Sequence, residues 1–122
     1  MTKLKIKVTK EILERSKMCG WKNGNKDMST NCAIALAVRD VFPEARVGSR
    51  HLNYLGDENY TVLPAIASNF ITIFDNLSPK ERVEMSELEF EVEVPDEVIE
   101  KINIEELKPL LENHPTLQLI EN

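Results

Sequence analysis

The sequence predicts an α+β fold: a two-layer sandwich in which a mainly antiparallel sheet of four to five strands carries a buried Ala-rich helix and a second, amphipathic helix on one face. Three observations predict it. Residues 3–8 and 87–94 alternate charged and apolar side chains, the period of two that a half-buried strand requires. Cys32 to Val38 is an unbroken apolar run directly behind Ser29, Thr30 and Asn31, three residues that can cap a helix, and a helix apolar all round is a buried one. Ile66, Phe70, Ile71 and Phe74 recur at three- and four-residue spacing and give a helix one apolar face.

The elements follow in order. Leu4, Ile6 and Val8 face one way and Lys3, Lys5 and Lys7 the other in the first strand. Thr9 caps a short helix through Ile12 and Leu13 to about Met18, ended by Cys19-Gly20, and residues 20–27 form a turn-rich loop. The buried helix starts at Cys32 and is closed by Pro43. Residues 46–55 read as one strand, 56–59 as a turn and 60–63 as its hairpin partner. Pro64 opens the amphipathic helix, which ends near Asn76, and residues 77–82 read as a loop. Leu88, Phe90, Val92 and Val94 alternate with Glu87, Glu89, Glu91 and Glu93 in the cleanest strand of the chain. Pro95-Asp96 begins a helical turn through Ile102, a second short helix containing Pro109 spans about 104–112, and residues 116–120 form a last edge strand.

A length of 122 residues with 42% hydrophobic content suits a single α+β domain over 1–122, with 95–122 as a C-terminal extension of helix and edge strand. No apolar run is long enough to span a membrane, and the alternating N-terminus lacks the apolar core of a signal peptide, so a cytoplasmic protein is expected. In a reducing cytosol Cys19 and Cys32 are expected as free thiols.

Charge is split along the chain. Residues 1–50 hold eleven Lys or Arg against five Asp or Glu, and residues 51–122 hold four against sixteen, within a net charge of -6. If the lysine strand and the glutamate strand are neighbours, part of this asymmetry is an internal cross-strand ladder that specifies pairing. If they are apart, the glutamates present a row of charge for a basic partner. The acidic balance argues against nucleic acid as partner, and no cofactor or metal motif is present.

Candidate chemistry is sparse. Cys32 at a helix start is where a thiol pKa can fall, yet a nucleophile needs a base, and only His51 and His114 are available. The two cysteines and two histidines have no zinc spacing. Asn31 at the helix start, with Lys22 and Lys26 in the loop before it, is a candidate anion site. Arg46, Arg50, His51, Tyr54 and Trp21 supply the side chains that dominate protein interfaces.

The run from Asn31 to Pro43, Asn-Cys-Ala-Ile-Ala-Leu-Ala-Val-Arg-Asp-Val-Phe-Pro, behind a strand ending Val8-Thr9, resembles small uncharacterised phage and prophage proteins. In those, a loop leads into a C-P-I-A-L-A-type helix, a short strand, a Leu-Pro turn and a Phe-containing helix. Leu63-Pro64 and Ala67-Ser68-Asn69-Phe70-Ile71 with Phe74-Asp75 are similar to the latter part. The resemblance covers about residues 3–94, and Ala33 stands where proline is common, which leaves the helix start less fixed. It implies no catalytic residues, only a phage-like origin, where small acidic proteins act by binding host machinery. The expected function is therefore a nonenzymatic binding protein, a phage-encoded inhibitor of a host or defence protein acting through an acidic or Arg/aromatic surface. The alternatives are a sensor or sponge for a small anionic ligand, a nucleotide or phosphometabolite near Lys22, Asn31 and Arg46, and a Cys32-dependent enzyme.

Overall fold

The structure, a computed structural model, describes residues 2–21, 28–55 and 60–121. In chain order these form β1 (Thr2–Val8), α1 (Lys10–Ser16), α2 (Met28–Asn31), α3 (Ala33–Arg39), β2 (Arg46–Val47), β3 (His51–Asn53), β4 (Tyr60–Val62), α4 (Ala65–Asn76), α5 (Pro79–Arg82), β5 (Leu88–Glu93), α6 (Asp96–Lys101), α7 (Ile104–Leu111) and β6 (Leu117–Glu121). The fold is α+β, but the strands divide between two three-stranded antiparallel sheets, β5-β1-β6 and β2-β3-β4, in place of the expected single sheet of four to five strands.

The division has a local cause. Residues 46–55, expected as one strand, fold back on themselves: the Gly48 amide donates to the His51 carbonyl at 2.9 Å, so β2 and β3 are the arms of a tight hairpin. That leaves strands of two and three residues, which pair with each other and, through β3, with β4.

β1 occupies the centre of the larger sheet because its pattern suits both neighbours. Leu4, Ile6 and Val8 are at most 1% exposed and pack under α3, whose alanines permit a close approach. Burying each such side chain stabilises by about 1.5–3 kcal/mol. The outer face of β1 meets β5 in the register Lys3 with Glu93, Lys5 with Glu91 and Lys7 with Glu89, so the two charged strands are neighbours and the ladder exists.

Thr9 caps α1 by accepting from the Ile12 amide, and Gly20 supplies the positive φ (64°) in the turn that follows. The buried helix begins one residue later than expected. Cys32 is extended (φ -77°, ψ 168°) and separates α2 from α3, so Ser29, Thr30 and Asn31 belong to the preceding turn of helix, and no side chain caps α3. On α4 the buried residues are Ala67, Phe70 and Phe74; Ile66, expected on that face, is 54% exposed. Residues 77–82, expected as a loop, contain α5, opened by a capping box in which Ser78 and Glu81 satisfy each other's backbone amides. The C-terminal stretch is tied into the core: Val98, Leu111 and Leu117 are buried, and Thr116 donates from its hydroxyl to the Ala37 carbonyl at 2.6 Å.

Candidate functional site

Two features stand out: an acidic open edge along β5, and a cavity between α3, α4 and the β2–β3 hairpin.

The phase of the β1–β5 ladder decides what the edge offers. The Val94 amide donates to the Thr2 carbonyl at 2.9 Å. Even-numbered residues of β5 therefore direct their backbone groups at β1, while Glu89, Glu91 and Glu93 direct theirs away from it. At one end the Thr61 hydroxyl donates to the Glu93 carbonyl (2.6 Å), so β4 abuts β5 through a side chain and not through a ladder. Among the described residues, no backbone partner meets the outward groups of Glu89 and Glu91. Beside them run shallow grooves walled by Val62, Pro64 and Ile66, with Val62 65% exposed. Of the ladder's charges, Lys5 and Glu89 approach to 3.9 Å; among the described residues, Glu91 and Glu93 have no cation within 4 Å.

The cavity holds about 230 Å³ and is lined by Cys32, Ala33 and Ile34, by Val47, Gly48 and Ser49, and by Phe70, Ile71, Phe74 and Asp75. Its one ionisable side chain is Asp75. Burial raises the Asp75 pKa above the ordinary carboxylate range, and the Arg82 charge draws it part of the way back. Arg82 lies behind the cavity, 1% exposed, its guanidinium 4.1 Å from the centre of the Phe74 ring. It donates to three backbone carbonyls: Phe74 (2.8 Å), Lys17 (2.8 Å) and Cys19 (2.7 Å). Arg82 thus joins the end of α4 to the turn after α1. Sequence reasoning placed Arg82 in a loop; Ser78-Pro79-Lys80-Glu81 was the readable signal of a helix there.

Cys19 and Cys32 form a disulfide with Cα atoms 5.4 Å apart, so the expectation of free thiols is corrected. The bridge joins two fixed points: Arg82 holds the Cys19 carbonyl, and Cys32 immediately precedes α3. With its thiol in the bridge, Cys32 is not available as a nucleophile in this structure. The two histidines are occupied locally: His51 packs edge-on against Tyr60 (4.6 Å), and His114 accepts from the Thr116 amide at Nδ1 (3.2 Å) with Nε2 3.6 Å from Asp40.

The residues expected to bind fall in different places. Lys22 and Lys26 lie outside the described residues. Asn31 ends α2, its amide donating to the Thr30 hydroxyl at 2.9 Å, and α2 lies against β2, which carries the exposed Arg46. Arg50 and His51 are exposed on the β2–β3 hairpin, and Trp21 is half-buried after Gly20. Tyr54, expected on an interface, is instead fully buried: it packs edge-on against Phe42 (5.4 Å), donates to the Thr61 hydroxyl (3.3 Å), and its pKa is pushed up to about 12 by burial. Among the described residues no group of three His, Cys, Asp or Glu could hold a metal, and no helix is long and apolar enough to cross a membrane.

No family model, curated protein or solved structure matches this chain.

Proposed function

We propose that this is a nonenzymatic binding protein whose partner presents an extended, basic segment to the open edge of β5. One observation carries the reading: Glu89 and Glu91 turn backbone groups that no ladder meets away from β1, while the carboxylates of Glu89, Glu91 and Glu93 form a row on the outer face. An added strand gains main-chain hydrogen bonds from such an edge, and alternate side chains supply its specificity. The protein already displays the required complement on the other side of β5, where Lys3, Lys5 and Lys7 stand opposite the same three glutamates. An incoming strand with lysine or arginine at every second position repeats that pairing, and the exposed Val62 and Ile66 wall the grooves beside it. The phage resemblance points to a host or defence protein as the owner of such a segment.

Cytoplasmic residence is the setting we propose.

A fluorescent peptide with the sequence of Thr2 to Val8, titrated with the protein over a salt series, tests the edge. Binding that weakens with salt is expected, together with weaker binding of a scrambled peptide whose lysines are adjacent. Glu91→Lys should weaken it further. The proposal is overturned if the peptide with lysines replaced by glutamates binds equally well, or if no peptide binds at low salt.

A further inference from the structure

We propose that the cavity between α3, α4 and the β2–β3 hairpin is a binding site for a small primary amine with an aromatic or branched aliphatic body, its ammonium group held by Asp75. This inference is independent of the β5 edge, which lies on other elements.

Size comes first. An apolar protein cavity of about 150 Å³ accommodates benzene, so 230 Å³ suits a ring with a short arm, about nine non-hydrogen atoms. The walls select for the body of such a ligand: Ala33, Ile34, Val47, Phe70, Ile71 and Phe74 are aliphatic or aromatic, and Phe70 and Phe74 stack at 5.8 Å. Pockets of this kind take their orientation from a few polar groups. Here those side chains are the Ser49 hydroxyl and the Asp75 carboxylate, and among the described residues no hydrogen-bond donor reaches Asp75.

Charge decides the class of ligand. The Asp75 carboxylate is partly withdrawn from water and lacks a donor, so a ligand ammonium replaces solvation that folding has removed. Arg82 does not fill this role, because its guanidinium is committed to three carbonyls, yet its charge helps keep Asp75 ionised. A carboxylate or phosphate ligand would meet Asp75 as a like charge. The preference is therefore the reverse of the anion site expected around Asn31.

Gly48 provides a way to close the cavity without disturbing its walls. Gly48 lines the cavity at its exposed rim; nothing lies within 4 Å of a Cβ built there and its φ is outside the left-handed region, so a leucine is accommodated at the mouth without strain.

The test uses three probes of one shape, phenethylamine, 2-phenylethanol and phenylacetate, titrated separately into the full-length protein while its amide resonances are followed by NMR. Phenethylamine should shift the amides of Ala33, Ile34, Gly48 and Phe70 to Asp75 and bind about tenfold more tightly than the alcohol, with phenylacetate weakest. Asp75→Asn should remove the tenfold preference and leave the alcohol unchanged. Gly48→Leu should abolish binding of all three. The assignment is overturned if none of the probes binds, if the alcohol or the acid matches the amine, if the shifts fall elsewhere, or if the folded Gly48→Leu variant binds as the parent does. The β5 peptide assay reads out on both variants as on the parent protein, so failure of one proposal is distinguishable from failure of the other.

Discussion

Replacing Arg82 should unfold this protein more readily than any substitution on its charged faces, and the structure sets the size. Arg82→Met keeps much of the side-chain volume but leaves the Lys17 and Cys19 carbonyls without their donor, while the Phe74 carbonyl keeps only the Leu77 amide at 3.2 Å. The bond to Cys19 is buried, and a buried carbonyl left unpaired costs about 1–3 kcal/mol, whereas the Phe74 carbonyl loses one of two bonds, at about 1 kcal/mol. The Lys17 carbonyl is only part-buried and can turn to water. Against this, the buried guanidinium carries a desolvation penalty, felt as a lowered pKa and only partly offset by Asp75, and methionine removes it. The net expectation is a loss of about 2 kcal/mol for Arg82→Met, rising to about 4 for Arg82→Ala, which adds a void beside Phe74. A domain of this length has a stability of about 6–18 kcal/mol, so either loss is large. Urea unfolding followed by far-ultraviolet circular dichroism measures it as a fall in the midpoint at unchanged slope. Arg82→Lys should lie between parent and Met, because one ammonium cannot reach three carbonyls at the spacing a planar guanidinium serves. If Arg82→Met is as stable as the parent, the carbonyls do not need the guanidinium, and the reasoning is wrong.

Three further outcomes are expected. The native protein prepared without reductant should give no reaction with thiol reagents, and Cys19→Ser or Cys32→Ser should cost about 3 kcal/mol, lowering Tm by roughly 10 °C. Because burial raises the Asp75 pKa, its favourable contribution is complete at low pH and is lost as pH rises from the ordinary carboxylate value through the raised one; Asp75→Asn should therefore be the more stable protein at pH 7 in thermal melts, the difference vanishing at low pH. The raised Tyr54 pKa acts in the same sense: its contribution is intact below the ordinary tyrosine value of about 10 and is lost as pH rises towards 12. Spectrophotometric titration should show Tyr54 ionising near pH 12, or earlier only together with unfolding, and Tyr54→Phe should remove that step.

The longest patterned segments were legible in the sequence. A strand of seven residues with strict alternation, or a helix of twelve with one apolar face, repeats its signal often enough to survive local noise, and β1, β5 and α4 were read close to their observed bounds. Short elements carry too few repeats. Residues 46–55 alternate imperfectly, and nothing in their pattern separates one strand from a two-arm hairpin, so Tyr54 was assigned to the surface when the second arm turns it inward. The break at Cys32 was hidden by the apolar residues on its C-terminal side. Cysteine pairing depends on chain geometry remote from either residue, including the grip of Arg82 on Cys19, and a separation of 13 residues does not reveal it. Arg82 itself reads as a surface residue by type; its burial follows from the α4–α5 corner placing it against the carbonyls of Phe74, Lys17 and Cys19. The edge of β5 was half legible: the glutamates were evident, but which side of the strand lay open required the register.

The position of β1 also governs the order in which this chain folds as it is made. Its two partners, β5 and β6, begin 80 and more residues later, so during synthesis β1 leaves the ribosome well before either. Pairings of such sequence separation are slow to form, and an alternating apolar strand left waiting is a template for other nascent chains. Lys3, Lys5 and Lys7 give β1 three positive charges in that interval, and two copies brought side by side repel each other. Only when the glutamates of β5 emerge does the same row become an attraction. The lysines act first as a safeguard against the wrong strand and afterwards as the key to the right one.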